Sequence, residues 1–243
     1  MSLAHQKELE GSYVMHTFGR SEVEFTSGSG MTLTDDQGRE YLDFLAGIGV
    51  CSLGHAHPAV TSAITGQAQR LFHVSNYFYV EHRGEVAEKI SELASRDVPE
   101  GEKTVWKTFF ANSGAEANEC AMKLARLWSH RAGNGGNAIV CLAGGFHGRT
   151  LETVAATMQE RLQKDFRPLP EGFYAVEPND IAALEAVFEA HGDEICAVMV
   201  EPIQGESGVH PLTDDYMRAI RRITREHGAL MICDEVQCGI FRT

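Results

Sequence analysis

The chain has 243 residues, 43% of them hydrophobic and 23% charged, which is enough apolar material for one large domain or two modest ones. Its 34 acidic and 21 basic residues give a formal charge of −13, and a field of that sign repels nucleic acid and anionic membrane surfaces. No apolar run approaches the roughly 20 residues that span a bilayer, and the opening MSLAHQKELE lacks the basic-then-apolar order of a secretion signal, so a cytoplasmic location is the default expectation.

From Val23 to Phe44 the sequence reads as short strands around a polar turn, Asp35-Asp36-Gln37-Gly38, which is hairpin chemistry. Gly54-His55-Ala56-His57-Pro58 follows. Two alternating histidines could ligate zinc, but no third ligand is near, and the Gly and Pro make it a turn leading into a helix. That helix runs from after Pro58 to about residue 72. A second spans about 81–94, with Val86, Ala87, Ile90 and Leu93 on one face.

From Val105 onward apolar strands alternate with helices. The strands are VWKTFFA, NAIVCL, FYAV, ICAVMV and ALMIC; the helices are expected over about 115–130, 180–190 and 214–227. This pattern predicts an α/β fold, a mostly parallel sheet with helices on its faces, preceded by a small α+β segment. The stretch 159–172, with Arg161, Lys164, Arg167 and two prolines, reads as an irregular surface excursion. The six cysteines, Cys51, Cys120, Cys141, Cys196, Cys233 and Cys238, form no CxxC pair, several lie in apolar runs, and they read as reduced thiols.

In open parallel sheets ligands bind beyond the carboxyl ends of the strands. VWKTFFA runs into Asn112-Ser113-Gly114-Ala115-Glu116, where a hydroxyl, free N–H groups and a helix N-terminus could receive a phosphate. An ordinary Ser cap, with Glu116 completing a capping box, explains the same residues. NAIVCL leads to Gly144-Gly145-Phe146-His147-Gly148-Arg149-Thr150, which does not match the GxGxxG dinucleotide pattern. Phe146 could stack on a planar heterocycle and Arg149 could hold a carboxylate, or the two could be a core aromatic and a surface charge. ICAVMV ends at Glu201 and ALMIC at Asp234. An acid directly after a buried strand is costly unless it is paired or faces a cleft, so Asp234 asks for a cationic partner, although a loop carboxylate capping the next element is the plain alternative.

Taken together, these segments resemble the class III, fold-type I pyridoxal-phosphate aminotransferases across essentially the whole chain. The residues that carry the resemblance are YLDFLAGIGVCSLGHAHP at 41–58, FFANSGAEANECAMKLAR at 109–126, GGFHGRT at 144–150, VEPIQGESGV at 200–209 and DEVQCGIFRT at 234–243. Within the class, the GIGV, HVSNYFY and NSGAEANE segments look most like the acetylornithine aminotransferases, with succinylornithine and ornithine aminotransferases as near relatives.

The resemblance implies a pyridoxal 5'-phosphate cofactor. It assigns Ser113, Gly114 and Ala115 to the phosphate, Phe146 to stacking on the ring and Asp234 to the ring nitrogen. Val236 would pack on the opposite face and Gln237 would approach the phenolic oxygen, with Glu235 in the same cofactor-binding segment. Arg149 would hold the substrate carboxylate, and Glu206 would serve on the substrate side by neutralising a second arginine. The implied reaction moves the terminal amino group of N-acetylornithine to 2-oxoglutarate, a step of arginine biosynthesis, in a homodimer. Residues 1–65 would belong to the small domain and 66–243 to the large cofactor-binding domain, incomplete at its C-terminal end.

The reaction also needs a lysine as cofactor anchor and base. None of Lys7, Lys89, Lys103, Lys107, Lys123 and Lys164 follows a strand at a matching position. The expectation is a piece of a longer enzyme that is inactive alone. Cys238 and Phe241 stand where the resemblance has Thr and a small residue. The alternatives are another class III aminotransferase, acting on ornithine, succinylornithine or 4-aminobutyrate, and a non-catalytic chain that binds a cofactor or a partner.

Overall fold

Residues 2–243 are described by a computed structural model, whose contacts divide the chain into one unit ending at Glu81 and another beginning at His82. The boundary expected after residue 65 falls inside the helix Pro58–Arg70, which the first unit contains whole.

The first unit runs α1 (Leu3–Tyr13), β1 (Phe25–Ser29), β2 (Thr32–Asp35), β3 (Glu40–Leu42), α2 (Ala46–Gly49) and α3 (Pro58–Arg70). The three strands form an antiparallel sheet in the order β1-β2-β3. The expected turn is built around Asp35. Its buried carboxylate accepts the N–H groups of Gln37 and Arg39, both at 2.9 Å, Arg39 Nε at 2.6 Å and the Tyr41 hydroxyl at 3.0 Å. Burial pushes that carboxyl up, but the Arg39 N–H and guanidinium, with Gln37 and Tyr41, outweigh it and bring the pKa down to about 2.

Asp43 organises the next turn by accepting the N–H groups of Leu45 at 3.0 Å and Ala46 at 2.8 Å, and His55 Nε2 lies 2.7 Å from its other oxygen. His55 is thus spent on a carboxylate, and Pro58 opens α3. The short α2 is left-handed, with φ of 49° at Ala46, 64° at Gly47, 61° at Ile48 and 82° at Gly49. Glycine adopts this region freely, whereas β-branched Ile48 does so under strain.

The second unit begins with α4 (Arg83–Ala94), whose expected apolar face is only half covered: Ala87 and Ile90 are partly buried, Val86 and Leu93 exposed. Residues 105–111, expected as a strand, form none. The Trp106 N–H donates to Ser91 Oγ at 3.0 Å, and Val105, Trp106, Phe109 and Phe110 are exposed. A strand needs a neighbour for its N–H and C=O groups, and no described strand pairs with this one.

The remaining elements are α5 (Gly114–Ala132), β4 (Ala138–Leu142), α6 (Leu151–Ala156), α7 (Glu160–Gln163), β5 (Phe173–Val176), α8 (Ile181–His191), β6 (Ile195–Val200), β7 (Ile203–Gln204), β8 (His210–Pro211), α9 (Asp214–Glu226) and β9 (Leu230–Cys233). β4, β5, β6 and β9 form a parallel sheet in the order β5-β4-β6-β9, and β7 and β8 a two-stranded ribbon. Val140, Val198 and Val200 meet Leu184 and Phe188 of α8 and Tyr216, Ile220 and Ile223 of α9 on one face. Ile139, Cys141, Ala197 and Met199 meet Met122 and Ala125 of α5 and Ala156 of α6 on the other. A strand buried on both faces reads as an unbroken apolar run, which is why NAIVCL and ICAVMV were legible. Each valine, leucine, isoleucine, phenylalanine or methionine among them contributes about 1.5–3 kcal/mol of transfer free energy.

The stretch 159–172 is more ordered than expected. Leu162 of α7 is buried, and Gln163 Nε2 donates to the carbonyls of Val154, Ala155 and Thr157, closing the end of α6. All six cysteines are free thiols. Among the described residues, no helix is long and apolar enough to cross a membrane.

Candidate functional site

The carboxyl ends of the parallel strands and the start of α5 bring four segments together. At the first, Ser113 has extended backbone (φ −155°, ψ 163°) and its Oγ accepts the Glu116 N–H at 3.2 Å, satisfying one of the first-turn donors of α5. Glu116 does not return to Ser113 as a capping box requires. Its carboxylate accepts the Asn112 N–H at 2.7 Å and Asn112 Nδ2 at 2.9 Å instead. Among the described residues, the N–H groups of Gly114 and Ala115 have no hydrogen-bond partner, and they stand at the positive end of a 19-residue helix. A Cβ on Gly114 would lie 2.9 Å from both methyls of Val236, so only glycine lets the fourth segment approach this helix start.

The second segment leaves β4. Its carbonyls are held by two glutamine amides, Gln204 Nε2 to Ala143 at 3.0 Å and Gln159 Nε2 to Gly145 at 2.9 Å. Phe146 N–H donates to Glu201 Oε2 at 2.9 Å, and His147 N–H to Thr157 Oγ1 at 2.9 Å. Gly148 has φ +137°, and a Cβ there would lie 2.6 Å from Thr153 Oγ1 and 2.8 Å from the Ala115 methyl. This glycine lets the loop close against the start of α5. The ring of Phe146 is partly buried, and exposed Arg149 sets its guanidinium carbon 5.7 Å from the ring centroid.

The fourth segment, after β9, starts with Asp234, which is 6% exposed. Asp234 Oδ2 accepts Asn118 Nδ2 at 2.7 Å and lies 2.8 Å from His147 Nδ1, while Oδ1 accepts the Val236 N–H at 3.1 Å. Burial pushes this carboxyl up. The hydrogen bond and charge of His147, the Val236 N–H and the Asn118 amide outweigh it and hold the carboxyl below its ordinary range. The third segment, after β6, carries buried Glu201 and exposed Glu206, whose Oε1 accepts Gln237 Nε2 at 2.9 Å.

The structure therefore brings together Ser113, Gly114, Ala115, Phe146, Arg149, Asp234, Val236, Gln237 and Glu206. Glu235 is exposed, and its backbone carbonyl accepts the Gly239 N–H at 2.7 Å, while among the described residues no hydrogen bond joins its side chain to the cluster. Asp234 has the partner its burial demands, but that partner is His147 together with Asn118, residues to which the sequence reading gave no role. The signal for His147 was its place in GGFHGRT, and for Asn118 a polar residue inside an otherwise amphipathic helix. Among the described residues, no group of three His, Cys, Asp or Glu is placed to hold a metal.

Comparison with known proteins gives one consistent result. Residues 15–243 match the family described as aminotransferase class-III. The chain is 44% identical to the acetylornithine aminotransferase of Methanocaldococcus jannaschii over 100% of its own length and 58% of that protein's. Among solved structures it superposes with TM-score 0.79 on the acetylornithine aminotransferase of Elizabethkingia anophelis, at 33% identity, covering 100% of this chain and 55% of that one. An ornithine aminotransferase from Toxoplasma gondii, described with partial occupancy of pyridoxal phosphate at its active site, superposes with TM-score 0.86 at 28% identity, over 98% of this chain and 54% of that one. The chain thus spans somewhat more than half the length of the relatives it matches.

Proposed function

Because the chain belongs to the class-III aminotransferase family, we propose that it supplies the pyridoxal-phosphate cradle of an enzyme moving the terminal amino group of N-acetylornithine to 2-oxoglutarate. One observation carries the reading: a buried, ionised Asp234 opposite a helix start with two open N–H groups, with a half-buried aromatic between the two segments in sequence.

The donor set fits the cofactor. The N–H groups of Gly114 and Ala115, with the Ser113 hydroxyl, suit a phosphate dianion. A carboxylate held below its ordinary pKa suits a protonated pyridine nitrogen, and the face of Phe146 suits the ring. Bound there, the cofactor supplies an electron sink for negative charge at the substrate carbon. Asp234 keeps the ring proton in place, and His147 and Asn118 keep Asp234 ionised and oriented. Val236, whose methyls lie against Gly114, is the candidate to pack on the ring face opposite Phe146, and Gln237, bonded to Glu206, is the candidate neighbour of the phenolic oxygen.

Arg149 is the candidate clamp for the carboxylate that both substrates carry, since a guanidinium forms paired hydrogen bonds with it. Glu206 is the candidate acid on the substrate side. None of the six lysines takes the family's anchoring position after a strand, so the reaction is assigned to the whole protein rather than to these residues alone. We take residues 1–65 as small-domain chain, a second copy as partner and the cytoplasm as location. The exposed aromatics Phe72, Tyr77, Phe78 and Tyr79 support the pairing.

The test is a comparison of kcat/KM for N-acetylornithine, ornithine and 4-aminobutyrate, each with 2-oxoglutarate. The expected outcome is a preference for N-acetylornithine of at least about tenfold, a difference one well-placed polar contact can supply. Equal rates with all three donors would overturn the substrate, and no pyridoxal phosphate in the purified protein would overturn the cofactor.

A further inference from the structure

Glu201 is buried, 4% exposed, and the reading above gives it no task. It stands directly after β6, where ICAVMV leaves the sheet. Its Oε2 accepts the Phe146 N–H at 2.9 Å, tying it to the loop after β4. A Cβ built on Gly145 would lie 3.4 Å from His147 Nε2 and 3.6 Å from Glu201 Oε2, so the carboxylate and the imidazole converge beside this residue. Burial, with the Asp234 charge, pushes the Glu201 carboxyl above its ordinary range, against the pull of the Phe146 N–H, the His147 charge and the Gly205 N–H. A buried carboxylate with several donors around it is costly to place and hard to move.

We propose that Glu201 is a positioning residue which locks the Phe146 loop, the His147–Asp234 pair and the Gly205 turn into one rigid arrangement. The inference rests on the cofactor reading of Phe146 and Asp234. Through the Phe146 N–H the carboxylate sets the height of the aromatic ring. Beside His147, it bears on the residue that orients Asp234. Through Gly205 it fixes the turn that carries Glu206, and a Cβ on this glycine would run into Gln237 Oε1, so the turn and the Gln237 amide lie against each other. One buried acid would therefore adjust the ring-facing and nitrogen-facing sides of the site together.

The test compares the parent protein with Glu201→Ala, Glu201→Gln and Asp234→Ala. It reads amide hydrogen exchange at Phe146 and Gly205 without cofactor, the melting temperature, the affinity for pyridoxal phosphate, and the visible circular dichroism of the bound cofactor. Glu201→Ala is expected to speed exchange at both amides, to weaken cofactor binding on the order of tenfold, as loss of a buried acceptor implies, and to change the dichroism. Glu201→Gln, which keeps an accepting oxygen but brings an NH2 group, is expected to fall between Ala and the parent. Parent-like exchange and affinity in Glu201→Ala would overturn the proposal. If that variant does not fold, parent-like values in Glu201→Gln would overturn it instead. Asp234→Ala tests the underlying reading separately: undiminished cofactor affinity there would remove the cofactor assignment, while exchange at Phe146 would still judge what Glu201 holds.

Discussion

His147 Nδ1 lies 2.8 Å from Asp234 Oδ2, with both side chains buried and Asn118 Nδ2 2.7 Å from the same oxygen. Removing one partner of such a pair leaves the other buried without compensation. His147→Ala is expected to cost about 2–4 kcal/mol of folding stability, measured by urea denaturation. A double-mutant cycle with Asp234→Ala should return a coupling of about 1–3 kcal/mol. A coupling near zero would mean that the two side chains are neighbours only.

The Ser113 hydroxyl is expected to serve two ends that glycine separates. Ser113→Ala should destabilise by about 1 kcal/mol and Ser113→Gly by only a few tenths, since glycine is itself a tolerated cap. If the hydroxyl also reaches the cofactor phosphate, Ser113→Gly keeps its melting temperature yet loses affinity for pyridoxal phosphate. Parent-like affinity would confine Ser113 to capping.

Gly148 has both a left-handed φ of +137° and no room for a methyl beside Thr153 and Ala115. Gly148→Ala should therefore cost about 2 kcal/mol or more by thermal or urea unfolding. Gly101, with nothing within 4 Å of its would-be Cβ, is the control, and its alanine variant should stay within about 0.5 kcal/mol of the parent.

Arg149→Gln should lower kcat/KM for amino donor and keto acid alike, by roughly 10- to 100-fold, because both would lose the same carboxylate clamp. Arg149→Lys should recover only part of that loss, since an ammonium cannot make the paired contact. A loss confined to one of the two substrates would show that each uses a different cation.

Asp35 gives the first unit a pH dependence of defined sign. Its folded pKa of about 2 lies below that of the unfolded chain, so the carboxylate's contribution is whole above about pH 4 and fades as pH falls toward 2. The stability difference between the parent and Asp35→Asn should shrink across that window. A difference that holds constant down to pH 2 would show that the ionised form is not what the turn needs.

The parallel strands were legible because burial on both faces leaves a purely local mark, an unbroken apolar run. VWKTFFA carries the same mark and forms no strand, since pairing depends on a neighbour that local pattern does not report. The site divides the same way. The need of Asp234 for a partner follows from its place after an apolar strand, but its partners lie 87 and 116 residues earlier in the chain, and only the crossing of β4, α5 and β9 makes them neighbours. The left-handed turn at Ala46–Gly49 was hidden because Ala46 and Ile48 give no hint of positive φ.

Cys141 in β4 and Cys196 in β6 sit on adjacent central strands without exposed surface, and burial pushes both thiols up, Cys196 to about 11. A thiolate-seeking reagent cannot reach them while the strands stay paired. Cys233 is exposed at the end of β9. Burial pushes the Cys233 thiol up as well, but its surface is open. The chain thus carries its own chemical clock: a mass-tagging reagent should mark Cys233 without any opening of the sheet and the two central thiols only as fast as the sheet itself opens, so their labelling rate times the breathing of the platform on which the strand-end residues stand.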